Sequence, residues 1–315
     1  MIIKSRVFIS GNYETEMLNK LSPKEDGIWN NYFFGYDPSE EYDYVIIMNY
    51  LQKNLTIKTI PENIWAFMQE PYIKGRFEWM KKGHSQYSKV FTHDPPNDDK
   101  KYIKAPPYLA WYTDKSYSEL LNMLIPDKKE ILSCISSNKN NFPGHKKRLA
   151  FVKNIKNADN LNIDLYGRGF NPVEDKWDAL APYYFSIAIE NTSKNDYWTE
   201  KISDCFLAYT VPIYYGCTNI EDYFPKNSYI WIDIENPDEA IEIIKKSVTK
   251  NEWKKRLPDV IKARNLVLND YNLLNVISNE IENQTVTNSE KEIFSLNKFR
   301  YSPIDLAIRF IDKLL

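Results

Sequence analysis

The stretch from Tyr183 to Asp233, YYFSIAIENTSKNDYWTEKISDCFLAYTVPIYYGCTNIEDYFPKNSYIWID, constrains the fold more tightly than any other part of the chain. Phe185 to Ile189 is a short apolar run that stops abruptly at Glu190-Asn191. Such a run reads as a strand buried on both faces. A polar loop follows, and Thr199-Glu200-Lys201 opens a helix. In it Ile202, Cys205, Phe206 and Tyr209 recur at i, i+3, i+4 and i+7, so one face packs on a sheet. Two more strands are expected, Val211 to Tyr215 and Tyr229 to Asp233, with a turn at Gly216 between them. Strand, polar loop, helix and parallel strand is how an open α/β sheet builds a nucleotide site at the carboxyl ends of its strands.

The rest of the chain repeats this alternation. With 315 residues, two domains are expected. In the first half, strands are expected at Arg6 to Ile9, Tyr44 to Met48, Ile64 to Met68 and Lys89 to Thr92, with a helix from Lys74 to Lys82. A second, weaker helix is expected from Ser116 to Leu124. Pro126 to Lys129 breaks the pattern before a fresh strand, Glu130 to Ile135. A helix from His145 to Asn157, a strand from Asn162 to Tyr166 and a helix beginning at Pro237 complete a second doubly wound α/β pattern. The expected division is 1–126, 127–285 and a helical tail at 286–315. In that tail Ser302 caps a helix that Pro303 begins, with Asp305 three residues after the cap. Its stripe of Ile304, Ala307, Ile308, Ile311 and Leu315 either docks on the body of the protein, back across the first domain, or lies on a membrane surface as a peripheral contact. The charges Asp305, Arg309, Asp312 and Lys313 cancel, and membranes favour a basic face.

Charge and cysteine content remove several classes. A net charge of −2 gives no electrostatic case for a nucleic-acid partner. Cys134, Cys205 and Cys217 are scattered among apolar neighbours with no metal or disulfide spacing, so reduced, buried thiols are expected. The amino terminus turns polar too early for a signal peptide, and no apolar run reaches 18 residues. The expected location is therefore cytoplasmic, with no transmembrane segment.

The ordered phrases Glu190-Asn191, Asp196-Tyr197-Trp198-Thr199-Glu200-Lys201, Thr210-Val211-Pro212-Ile213-Tyr214-Tyr215-Gly216, Asn219-Ile220 and Tyr223-Phe224-Pro225 resemble the signature of the α1,3-fucosyltransferase family, glycosyltransferase family 10. The match covers about 45 residues in the family's order and spacing. It departs at Trp198, where the family often has Val, and the first half offers no alignable similarity. The resemblance implies the GT-B architecture, two Rossmann-like domains facing across a cleft. It also implies an inverting, metal-independent transfer with GDP-fucose as donor and a glycan or glycolipid as acceptor, and no cofactor beyond the nucleotide sugar. It places Arg148 and Lys201 at the diphosphate, Glu200 at the hydroxyls of the nucleotide sugar, and Asn191 and Tyr197 near the donor.

Elementary chemistry supports the same residues. A departing nucleoside diphosphate needs cations and N–H groups to meet its growing charge. Lys201, in the first turn of a helix, adds an ammonium to the positive end of the macrodipole. Arg148 follows the Ser136-Ser137-Asn138 loop, and Gly216 lets the backbone turn close to the donor. Inversion needs a base on the face of the sugar opposite the leaving group. Glu70 is the expected base, set at a strand end by Pro71, and the resemblance implies the same role. Glu78, Asp94, Asp98 and Asp99 are weaker candidates, and Asp98-Asp99 has no third ligand to make a metal site. Two alternatives stand: the same reaction with another donor such as a UDP-hexose, or a non-catalytic nucleotide-sugar-binding protein.

Overall fold

Most strand pairs among the described residues are parallel, and the strands Tyr183–Ile189 and Val211–Tyr215 are buried end to end, as in sheets covered on both faces. A computed structural model describes residues 2–10, 18–284 and 289–314. The chain divides into two units. The first takes the described residues of Met1–Tyr108, Ser116–Ser118 and Leu273–Leu315, and the second takes Leu109–Lys115 and Glu119–Asn272. The sequence had suggested divisions at 126/127 and 285/286.

The first unit is built on β1 (Ser5–Ser10), β2 (Ile28–Trp29), β3 (Tyr32–Gly35), β4 (Tyr44–Met48), β5 (Leu55–Thr59), β6 (Ile64–Phe67), β7 (Lys89–Thr92) and β8 (Tyr102–Lys104). Seven of these form one sheet in the order β2-β3-β1-β4-β6-β7-β8, antiparallel only between β2 and β3. Phe8, Val45, Ile47, Ile64, Ala66 and Val90 from its strands are joined in one core by Trp79 and Met80.

The helix expected over Lys74 to Lys82 does not form. That segment holds only a 3-10 turn, Glu78–Met80. The buried Glu78 carboxylate accepts from the Gly75 N–H at 2.7 Å and the Tyr72 hydroxyl at 3.1 Å. These local bonds, with burial of Trp79 and Met80, replace the helical ladder. The weak helix expected from Ser116 to Leu124 is real but shorter, Tyr117–Asn122.

In the second unit, β9 (Glu130–Ile135), β10 (Asp164–Tyr166), β11 (Tyr183–Ile189), β12 (Val211–Tyr215) and β13 (Ile230–Trp231) form an all-parallel sheet in the order β10-β9-β11-β12-β13. The chain runs outward from β9 to β10 and then reverses to β11, so the strand order switches between β9 and β11. The helix Pro143–Lys156 links β9 to β10, and the helix Glu200–Leu207 links β11 to β12. Pro237–Ser247 and Lys250–Asn265 follow β13. All three cysteines are free and buried, as their apolar neighbours imply.

The tail returns to the first unit. Its strand β14 (Glu292–Leu296) pairs antiparallel with β5, and Leu296 enters the core of that unit. Ser302 and Asp305 then cap the helix Pro303–Leu314 reciprocally. The Asp305 N–H donates to the Ser302 Oγ at 3.2 Å, while the Asp305 carboxylate accepts from the Ser302 N–H at 3.0 Å. Docking of the Ile304 stripe is not what the helix shows. Ile304 is 72% exposed and Ala307 is exposed, whereas Asp305, counted among the surface charges, is buried beside Lys82. The first turn is held by its capping bonds and this ion pair, not by the apolar stripe. Ile311 and Leu315 lie outside the described side chains. No helix among the described residues is long and apolar enough to cross a membrane.

Candidate active site

A cavity of about 330 Å3 opens in the second unit where the strand order reverses. It is lined by Ser136 and Ser137 after β9, by Ile189 at the end of β11, by Gly167 and Arg168 after β10, and by the start of the helix Glu200–Leu207. The crevice at such a reversal is where open α/β sheets take their ligands.

The helix start is anchored from behind by Glu190, the first residue after β11. Its side chain is fully buried and accepts from the Thr199 N–H at 2.8 Å, the Thr199 hydroxyl at 2.8 Å and the Lys201 ammonium at 3.1 Å. Thr199 is the N-cap. Gly216 makes room for this anchor, since a Cβ there would collide with the Glu190 side chain. At the other end of the helix, Lys128 donates to the Ala208 carbonyl at 2.7 Å and Arg264 to the Leu207 carbonyl at 3.1 Å. The Arg264 cation thus meets the negative end of the helix dipole, and the positive end faces the cavity.

Arg148 comes from the helix Pro143–Lys156 and is 7% exposed. Its guanidinium donates to the Asn191 side-chain oxygen at 2.5 Å and to the Ser137 hydroxyl at 3.2 Å. These are neutral acceptors, so its charge is left to act on the cavity. Arg148 Nε and Ser136 Oγ, both buried, have no hydrogen-bond partner among the described residues. Unsatisfied buried polar atoms on a cavity wall are what a polar ligand would complete.

Glu200 and Lys201 both line the cavity. Burial alone would push the Glu200 carboxyl up, but the Lys201 and Lys176 ammonium groups pull it down to about 2. Burial also works against the Lys201 charge, and Glu190 with Glu200 more than restores it, so its pKa is raised. Glu190 itself is pushed up by burial against the pull of Lys201. The wall therefore presents an ionised acceptor and a fixed cation side by side.

Of the residues expected from sequence, Arg148, Glu200 and Lys201 line the cavity together. Asn191 does not line it but orients Arg148. Tyr197 is 2% exposed and Gly216 is not on the cavity wall. Glu70 lies in the first unit, exposed, three residues beyond the end of β6. Several signature residues act on the loop itself. Asp196 accepts from Asn219 at 2.8 Å and from the Tyr223 hydroxyl at 2.6 Å. Trp198 packs edge-on against Phe224 and Tyr271, with ring centroids 5.1 and 5.3 Å away. Glu190, Lys176, Asp204 and Ser137 were not foreseen. For Glu190 the signal was present, a lone charge directly after an apolar strand. For Lys176, at the start of a short 3-10 turn, there was none.

Two Rossmann-like units in one chain, with a polar, cation-bearing cavity at the strand reversal of the second, define the GT-B class of fold. Residues 125–254 match the family model described as glycosyltransferase family 10 (fucosyltransferase), carboxyl-terminal. An α-(1,3)-fucosyltransferase of Helicobacter pylori is 41% identical over 78 residues, covering 24% of this chain and 16% of that protein. The 4-galactosyl-N-acetylglucosaminide 3-α-L-fucosyltransferase 9 of Homo sapiens is 32% identical over 133 residues, 40% of this chain and 35% of that one. The matched part thus spans well under half the length of these relatives. A solved α1,3-fucosyltransferase with GDP superposes with a TM-score of 0.50 at 18% identity, covering 84% of this chain and 90% of that one. That likeness concerns the fold.

Proposed function

We propose that the protein is an inverting, metal-independent glycosyltransferase that moves L-fucose from GDP-fucose to a glycan hydroxyl. The observation that carries this reading is the cavity wall on which Arg148, Glu200 and Lys201 converge at a strand reversal. In the proposed reaction the anomeric carbon–oxygen bond to the diphosphate breaks as the acceptor oxygen attacks from the opposite face. Arg148 and Lys201 take up the charge that develops on the departing diphosphate, aided by the helix N-terminus. Asn191 keeps Arg148 in place, and Tyr197 supports the loop from the core. Glu200, ionised and acceptor-only, takes the paired hydroxyls of the nucleoside. Glu70 is assigned as the base that removes the acceptor's proton. A carboxylate can take that proton in concert with the attack.

The test is incubation with GDP-fucose, other GDP-sugars and UDP-hexoses against a glycan panel, with and without EDTA, reading released nucleotide and product mass. GDP release with a product heavier by one deoxyhexose, unaffected by EDTA, is expected. Turnover with a UDP-hexose instead would change the donor, and binding without release from any glycan would make the protein a non-catalytic binder. In the same assay Glu70→Gln is expected to lower kcat by about 100-fold or more while GDP affinity stays nearly unchanged. A variant that keeps most of its turnover removes Glu70 from the mechanism.

A further inference from the structure

Glu200 and Asp204 stand four residues apart on one helix face, the first with a side chain 13% exposed and the second fully buried. Two carboxylates in that relation repel, and an unpaired buried charge is costly. Lys176 resolves the conflict. Its ammonium lies 2.9 Å from Asp204 Oδ2 and 3.6 Å from Glu200 Oε1. The other Asp204 oxygen accepts from the Tyr112 N–H at 3.0 Å, so Asp204 is fixed on both sides. Lys176 is fixed as well. It begins a 3-10 turn whose N-cap, Asp175, accepts from the Trp177 N–H at 2.9 Å, and its ammonium lies over the Tyr112 ring.

Lys201 is not free to do this work alone. It is tied to Glu190 at 3.1 Å and to the Thr199 hydroxyl at 3.0 Å, and it stands 3.5 Å from Glu200. Without Lys176, Lys201 would draw the Glu200 carboxylate to itself unopposed, and a charged Asp204 would push it the same way. The carboxylate would then neutralise the cation that the diphosphate needs and turn away from the ligand.

We propose that Lys176, braced by Asp204, is a positioning residue that holds the Glu200 carboxylate toward the paired hydroxyls of the donor's nucleoside. The proposal rests on the reading of Glu200 given under Proposed function. It adds a third cation to the site beside Arg148 and Lys201, one whose effect is read in discrimination of the ribose.

Binding of GDP and of 2′,3′-dideoxy-GDP to the wild type, to Lys176→Met and to the double variant Lys176→Met/Asp204→Asn tests it by calorimetry. The wild type is expected to prefer GDP by about tenfold, the worth of hydrogen bonds to a charged acceptor. Both variants are expected to bind the two nucleotides alike. The double variant leaves no unpaired buried carboxylate at position 204, so it keeps the test readable if the single variant does not fold. A purely structural role would weaken both nucleotides by one factor and preserve their ratio, and that result overturns the proposal. If the wild type itself does not distinguish the two nucleotides, the reading of Glu200 fails, and the positioning role fails with it.

Discussion

Lys128 is 8% exposed, and its ammonium donates to the Ala208 carbonyl and, at 2.9 Å, to the Thr210 hydroxyl. Burial pulls its pKa from 10.5 down to about 7, against a small opposing effect of Cys205. Between those two values the unfolded chain holds more protons than the folded one, so this group's contribution to stability rises with pH across that window. Below about 7 the cost of burying the charge is fully present. Lys128→Met removes that cost along with two hydrogen bonds. The variant's stability relative to the wild type is therefore expected to fall as pH rises from about 6.5 to about 9.5. Urea unfolding at the two pH values measures it, and a pH-independent difference would show that Lys128 keeps its proton throughout. Residues of this kind show what a single sequence reveals. The apolar run Phe185 to Ile189 followed by Glu190 announced a strand end facing polar chemistry, and Lys201 announced a cation at a helix start. That Lys201 is held by Glu190, and Glu200 by Lys176, depends on side chains 11 and 24 positions apart, and no local pattern encodes such pairings.

The helix Pro143–Lys156 approaches the end of β11 so closely that Gly144 faces the Asn191 backbone carbonyl with no room for a Cβ. This approach is what brings Arg148, one turn later, within 2.5 Å of the Asn191 side chain. Gly144→Ala must push the helix and the loop apart. Overpacking of this sort costs about 1–3 kcal/mol. The larger expected effect is on binding: with Arg148 displaced, GDP affinity should fall about tenfold or more, since a hydrogen-bonded charge meeting phosphate is worth that much. Titration calorimetry with GDP checks it, and unchanged affinity would show that Arg148 does not depend on this contact. At this level the second unit was well read from sequence, because its strands and helices alternate with clear apolar periods and clean caps, Thr199 among them. In the first unit β1, β4, β6 and β7 stand where the apolar runs put them, but the segments between them were misread. Between β6 and β7 the pattern around Glu78, Trp79 and Met80 resembles a helix, yet buried aromatic packing and the hydrogen bonds of Glu78 win over helical propensity. The short strands β2, β8 and β14, of two to five residues, carry too little periodicity to be found.

The chain crosses from its first unit to its second and then comes back, and this return was only half visible in the sequence. The tail's apolar stripe was expected either to pack on the first domain or to lie on a membrane surface. What returns is more extensive: Leu273–Glu282 and β14 belong to the first unit, while the stripe residue Ile304 faces solvent. The decisive anchor is Leu296, 1% exposed at the end of β14, packed in one core with Leu51, Ile57 and Trp79. Around it the Phe299 N–H donates to the Leu51 carbonyl at 3.0 Å, and the Gln86 side chain exchanges two hydrogen bonds with the Asn297 backbone at 2.9 and 3.0 Å. A buried leucine so enclosed has little freedom to let its surroundings collapse after truncation, so Leu296→Ala is expected to cost about 2–5 kcal/mol. The cavity that holds Arg148, Glu200 and Lys201 is built wholly from the second unit, which has its own parallel sheet. Leu296→Ala should therefore lower the unfolding midpoint while leaving GDP affinity at low temperature unchanged. Parallel denaturation and calorimetry decide the matter. If affinity falls together with stability in protein that is still folded, the nucleotide site depends on the first unit, and the cavity of the second is not sufficient to bind.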